Sequence, residues 1–172
     1  MHHLKILVIG PKGSGKTTII QNVTNNTVTT DVDGRTVGLD FGTVETKDLV
    51  VHLFGSPGLQ QFSLVRKALA SGSDGVVLVI DSTDPQSVIE GEQYLHDTFG
   101  ANIPPLVVAA NKQDVPGAMS PQEIQSLLSV RAQVYPTSAQ QGLGLVQLLD
   151  GFVKHLLQIS KGGDILTTLR NA

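Results

Sequence analysis

Gly10-Pro11-Lys12-Gly13-Ser14-Gly15-Lys16-Thr17 is the stretch on which the reading of this chain turns. It has the spacing G-x-x-x-x-G-K-[ST] and follows directly on the aliphatic run at 4–9. Glycines allow successive backbone N–H groups to turn inward around anionic oxygens. A helix opening behind them points the positive end of its dipole at the same place. The spacing therefore predicts a strand–loop–helix phosphate cradle formed by Lys12, Gly13, Ser14, Gly15, Lys16, Thr17 and Thr18. Lys16 is expected to reach the β- and γ-phosphates of a nucleotide, and the Thr17 hydroxyl to ligate a magnesium ion bridging them.

Working outward, the runs at 4–9, 49–54, 76–80 and 106–110 lack polar alternation, as strands buried on both faces of a parallel sheet do. Each leads through loop residues into a helical pattern. The clearest is at 144–160, where Leu145, Leu148, Leu149, Phe152, Leu156 and Ile159 recur at helical spacing. Weaker patterns lie at 17–25, 85–99 and 121–130, the last two opening with proline after Asp84 and Ser120. The chain is expected to be α/β: a three-layer P-loop domain over 1–160, with a six-stranded, mostly parallel sheet and helices on both faces. Residues 161–172 are expected to be a short, loosely held C-terminal tail.

Composition narrows the function classes. The 172 residues suit one domain, and a net charge of -3 offers no basic surface, so no nucleic-acid partner is expected. With no cysteine there is no disulfide framework, thiolate zinc site, prenylation or palmitoylation, and His2 stands where myristoylation needs glycine. No lipid anchor, signal peptide or membrane span is expected, and a cytoplasmic protein is the simple reading. His2, His3, His52, His96 and His155 show no metal-ligand spacing.

The cradle reads phosphates and cannot tell one base from another. Asn111-Lys112-Gln113-Asp114 supplies that choice at the carboxyl end of an apolar run, where open α/β sheets bind ligands. The Asp114 carboxylate can accept from the N1–H and N2–H₂ donors of guanine. Adenine offers neither, and would leave the carboxylate unpaired at a cost of a few kcal/mol. Asn111 is expected to bridge to the base and the phosphate loop, and the Lys112 stem to cover the ring. Thr137-Ser138-Ala139 is expected to offer backbone donors from Ser138 and Ala139 to the guanine O6.

Together these segments resemble the Ras superfamily of small GTPases over most of the chain. Ala110-Asn111-Lys112-Gln113-Asp114-Val115-Pro116-Gly117-Ala118-Met119 is similar to the Arf segment, and Thr36-Val37-Gly38-Leu39-Asp40-Phe41 to the Rab switch I strand. Phe54-Gly55-Ser56-Pro57-Gly58, with the Gly10-Pro11 opening, is also similar to prokaryotic members such as the MglA-type polarity switches and roadblock-associated GTPases. The resemblance implies GTP/GDP and Mg2+ as ligands. It makes Thr36 the switch I threonine that closes over magnesium and the γ-phosphate, and Gly58 the switch II glycine whose N–H meets that phosphate. It also implies effector and regulatory partners, an exchange factor, an activating protein or a roadblock-type protein, binding through segments near 34–42 and 55–70.

Two departures bear on catalysis. Where the family begins switch II with an aspartate holding a magnesium-bound water, this chain has Gly55. Where the family has the glutamine that orients the attacking water, it has Leu59, which neither donates nor accepts a hydrogen bond. Gln60 and Gln61 follow and read as solvent-facing. Lys12, overlooking the γ-phosphate by resemblance, and Arg35, just before Thr36, are the candidate cations for developing charge. The expectation is a GTP/GDP switch with slow hydrolysis. Its rival is a constitutively GTP-bound module with no significant turnover. A metabolite kinase shares the cradle but would need no guanine selector.

Overall fold

The computed structural model describes residues 1–24, 26–32, 35–56 and 63–170, with only the backbone considered at 26–32, 35–39, 63, 65 and 161–170. The four aliphatic runs become strands β1 (His2–Ile9), β4 (Leu49–Gly55), β5 (Gly75–Asp81) and β6 (Leu106–Asn111). The sheet is completed by β2 (Asn26–Val32), β3 (Arg35–Glu45) and β7 (Gln133–Pro136). Its order is β2-β3-β4-β1-β5-β6-β7. The β4–β1, β1–β5, β5–β6 and β6–β7 pairs are parallel. The β2–β3 and β3–β4 pairs are antiparallel.

The α/β, mostly parallel sheet is as expected, but it has seven strands rather than six. The addition is β2, which pairs Asn26 with Thr43 and, after an irregularity between Thr29 and Asp31, Val32 with Arg35. Its sequence mixes β-branched and polar residues without the continuous apolar run that marks the central strands.

Helices α1 (Lys16–Val23), α2 (Ser63–Ala70), α3 (Gln86–Phe99), α4 (Pro121–Leu127) and α5 (Leu145–Arg170) cover the sheet. Successive strand residues feed opposite faces. Val77 and Val79 join a core with Ile19, Ile20, Leu148, Phe152 and Leu156 beneath α1 and α5. Val76, Leu78 and Ile80 join Val88, Leu95 and Ile124 beneath α3 and α4. A strand buried on both sides has no polar face to show, which is why these runs read as uninterrupted.

Helix ends differ from expectation for local reasons. The Ser120 side chain accepts from Glu123 N at 3.1 Å with Pro121 in the first turn, as read from sequence. Pro85 instead sits outside α3, with Asp84 accepting from Gln86 N at 3.0 Å. Helix α4 stops at Leu127 because Leu128 is extended and Glu92 Oε1 accepts from Ser129 N at 2.6 Å. Helix α5 runs on to Arg170, so residues 161–170 extend it rather than forming a separate tail. The Lys161-Gly162-Gly163 interruption hides that continuation from a periodicity reading.

Candidate nucleotide site

The cradle and the base selector meet at the carboxyl ends of β1 and β6, where they line a cavity of about 530 Å³. Of the expected residues, Gly13, Gly15, Lys16, Thr17, Thr18, Asn111, Lys112, Asp114 and Ala139 all line it. A volume in this range suits a nucleotide-sized ligand.

The cradle has the backbone that its sequence demands. Gly13 and Gly15 take φ of 79° and 106°, in the left-handed region that other residues avoid. A Cβ at Gly15 would also lie 2.2 Å from Asn111 Nδ2, so the glycine lets the base loop press against the phosphate loop. Helix α1 begins at Lys16, putting its N-terminal N–H groups at the mouth of the cavity.

Lys16 is 8% exposed and donates from Nζ to the carbonyls of Gly10 at 2.7 Å and Pro11 at 2.9 Å. Burial pulls its pKa from 10.5 down to about 8, against the raising influence of the Asp40 carboxylate and with a further lowering by Arg66. An anionic phosphate would further favour the charged form and compete with the two carbonyls for Nζ. Thr17 donates its hydroxyl to Asp40 Oδ2. Lys12 is exposed and does not line the cavity.

On the base side, Asn111 is the hub. It is 2% exposed, donates from Nδ2 to Ser14 O at 2.8 Å, and accepts at Oδ1 from Ala139 N at 3.0 Å and Thr137 Oγ1 at 3.1 Å. The expected contact with the phosphate loop is thus a direct bond, and Asn111 reaches the third loop too. Lys112 has φ of 66° and ties its Nζ to Asp81 Oδ2 at 2.7 Å. Burial works to raise the Asp81 pKa, but hydrogen bonds from Lys112 and Thr83 outweigh it and hold the carboxyl below its ordinary range. Gln113 Nε2 donates to Ser82 Oγ at 2.9 Å and Met119 O at 2.8 Å. Asp114 is exposed toward the cavity and accepts from the Ser138 hydroxyl at 2.7 Å, which orients the carboxylate expected to read guanine.

Ser138 and Ala139 differ from expectation in detail. Their backbone N–H groups are engaged within the protein, Ser138 N with Leu143 O at 3.0 Å and Ala139 N with Asn111 Oδ1. Donation from either to guanine O6 would have to share or exchange those bonds. Thr36 and Arg35 stand on β3 opposite Asp31 and Val32, and their side chains lie outside the described positions. Gly58, Leu59, Gln60 and Gln61 also lie outside the described residues.

Sequence reasoning missed four contributors. Asp81 and Ser82, at the end of β5, brace the base loop through Lys112 and Gln113; only their place at a strand end signals this. Asp40, quoted above only as part of a resembling strand, contacts the cradle directly. Arg66 on α2 is buried with its guanidinium 4.5 Å from the Tyr94 ring, and burial lowers its pKa against the pull of Tyr94 and Asp97.

A glycine-framed phosphate cradle and an asparagine-bridged base loop on a doubly covered, mostly parallel sheet define the class of P-loop guanine-nucleotide-binding domains. The ADP-ribosylation factor family model matches residues 1–156, and the chain belongs to that family. Similar chains include an ADP-ribosylation factor-like protein 1 of Caenorhabditis elegans, 29% identical over 90% of each chain. An uncharacterized protein of Methanocaldococcus jannaschii is 24% identical over 88% of this chain and 96% of its own. Among solved structures, the Arl6 BBS3 small GTPase of Trypanosoma brucei, with the bound nucleotide analogue GppNp, superposes with a TM-score of 0.72. That likeness, at 21% identity, covers 91% of this chain and 98% of the other and concerns the fold. The chain is thus a small GTP-binding protein of the Arf type, a family that works as GTP-dependent switches with regulators and effectors.

Proposed function

We propose that this protein is a cytoplasmic GTP/GDP switch whose intrinsic hydrolysis of the β–γ bond is slow. The observation that carries the proposal is Leu59, a hydrocarbon side chain directly after Gly58 in a chain with an intact cradle and base selector. Phosphoryl transfer from GTP asks the protein mainly to position water and stabilise charge. Lys16, Thr17, Thr36 and the Gly58 amide would supply the stabilisation, with Lys12 or Arg35 as further cations. Leucine at 59 supplies no orientation for the water. Affinity for the γ-phosphate, rather than rapid turnover, would then hold the GTP state.

A magnesium ion accompanying the nucleotide would neutralise charge on the β- and γ-phosphates. Thr17, with its hydroxyl at the cavity and a carboxylate accepting its proton, is a hard oxygen donor suited to that ion, and Thr36 is the second candidate ligand. The segments near 34–42 and 55–70 would order with GTP and present the surface read by effectors, an exchange factor, an activating protein or a roadblock-type partner. Membership of the prokaryotic branch is supported by the Phe54–Gly58 resemblance and by the Methanocaldococcus jannaschii relative.

Leu59 together with Gly55 also favours a second reading, a constitutively GTP-bound interaction module. Single-turnover hydrolysis by wild type and Leu59→Gln separates the two. A slow but measurable wild-type rate that rises at least about tenfold in Leu59→Gln is the expected result. No turnover in wild type would favour the static module, and a measurable rate unchanged by the substitution would remove Leu59 from the water site.

A further inference from the structure

The buried carboxylate of Asp40 sits where the cradle would need one and has no other evident employment. It is 6% exposed. One oxygen, Oδ2, accepts a hydrogen bond from the Thr17 hydroxyl, while Oδ1 is buried without a hydrogen-bond partner among the described residues. An ionised carboxylate with an orphaned oxygen is expensive to bury unless a positive group or a strong donor answers it. Lys16 is close enough for Asp40 to raise its pKa, yet its ammonium is bonded to the Gly10 and Pro11 carbonyls.

The neighbouring strand shows why the carboxylate can be there. In the β3–β4 ladder Asp40 stands directly opposite Gly55. A Cβ at position 55 would lie 3.1 Å from Asp40 Cβ, 3.5 Å from Asp40 Oδ2 and 2.8 Å from Ile20 Cδ1. Position 55 therefore has no side chain where the Asp40 carboxylate now lies. The departure noted at Gly55 and the orphaned oxygen of Asp40 are two sides of one packing arrangement.

We propose that Asp40 is the magnesium-site carboxylate of this protein, delivered from β3 across the ladder to the Thr17 hydroxyl in place of a carboxylate at position 55. Oδ2, by taking the Thr17 proton, turns the lone pairs of that hydroxyl toward the cation. Oδ1 accepts from a water of the ion's own shell, which removes the orphan. Asp40 is a positioning residue, since it acts through Thr17 and that water. The inference rests on the reading of the cavity as a magnesium–guanine nucleotide site.

The test follows dissociation of a fluorescent GDP analogue from the full chain as free magnesium is varied, with a chelator as the zero point. Asp40→Asn keeps an acceptor for Thr17 and removes the charge. It should raise the magnesium concentration that half-maximally slows release by about 10- to 100-fold, with release in chelator unchanged. Asp40→Gly combined with Gly55→Asp moves the carboxylate back across the ladder and should bring the midpoint to within a few-fold of wild type. An unchanged midpoint in Asp40→Asn, or equal acceleration with and without magnesium, would overturn the proposal. If Asp40→Asn fails to fold, the exchanged pair decides: a wild-type-like midpoint supports the assignment and a lost magnesium dependence rejects it. Failure of wild type to retain the analogue at any magnesium concentration would instead reject the nucleotide-site reading itself.

Discussion

The two ends of the cavity are finished to different degrees. At the base end, both the amide and the carbonyl of Asn111 are hydrogen-bonded, the Gln113 amide is shared between Ser82 and Met119, and Asp114 is held by Ser138. At the phosphate end, Ser14 Oγ, Asp40 Oδ1 and Ser56 Oγ are buried without partners among the described residues, and Lys16 donates to the backbone carbonyls of Gly10 and Pro11. Buried polar groups are ordinarily satisfied. The difference teaches that base recognition is preorganised by the fold itself, whereas the phosphate end keeps polar capacity for charge that comes with the ligand. A switch needs that asymmetry: a grip common to both nucleotides at one end, and a region whose free energy depends on the third phosphate at the other.

The most severe way to break the contrast is at the hub. Asn111→Ala strands the Ser14 carbonyl, the Ala139 N–H and the Thr137 hydroxyl in a buried site, and should cost about 3 kcal/mol of stability in the ligand-free protein. Chemical denaturation without nucleotide checks this. A cost near zero would mean that the base end relaxes freely and is not preorganised.

An intermediate effect is expected at the phosphate end and carries a definite sign. Burial brings the Lys16 pKa from its ordinary 10.5 down to about 8 in the folded protein, so between those values the unfolded chain binds more protons. Stability should therefore rise with pH between about 8 and 10.5, by about 3 kcal/mol in total. Below pH 8 the buried ammonium is a constant burden. Lys16→Met should flatten the rise in thermal melts, and so should saturating GDP, whose phosphates favour the charged lysine. A slope that persists in Lys16→Met would assign it to other groups.

These two ends were also unequally legible in the sequence. Gly10 to Thr17 and Asn111 to Asp114 are contiguous, and their backbone conformations are dictated by residues within the motif, so their chemistry could be read before any fold was known. The central strands were legible because double-sided burial leaves no polar alternation at 76–80 or 106–110. Asp40 was opaque as a site residue because its role depends on β3–β4 register and on the absence of a side chain at Gly55. Strand β2 depends on an edge pairing with β3 rather than on its own hydrophobicity. Helix α2 buries Arg66, a residue type that sequence reading assigns to the surface.

The smallest effect should come from the rim of the base end, and it tests whether preorganisation is spread evenly there. Ser138 is buried, but the Asp114 carboxylate it holds at 2.7 Å is exposed and can exchange that bond for water. Ser138→Ala should cost no more than about 1 kcal/mol of stability, because no buried partner is orphaned. Its consequence should lie in recognition. A carboxylate free to rotate pays part of its ordering on binding, so GDP affinity measured calorimetrically should fall a few-fold, far less than for Asn111→Ala. Equal losses in the two variants would move the organising role from the asparagine hub to the Asp114–Ser138 contact. A base end held from its rim would respond to guanine itself, and the contrast between a finished end and a ligand-completed end would no longer hold.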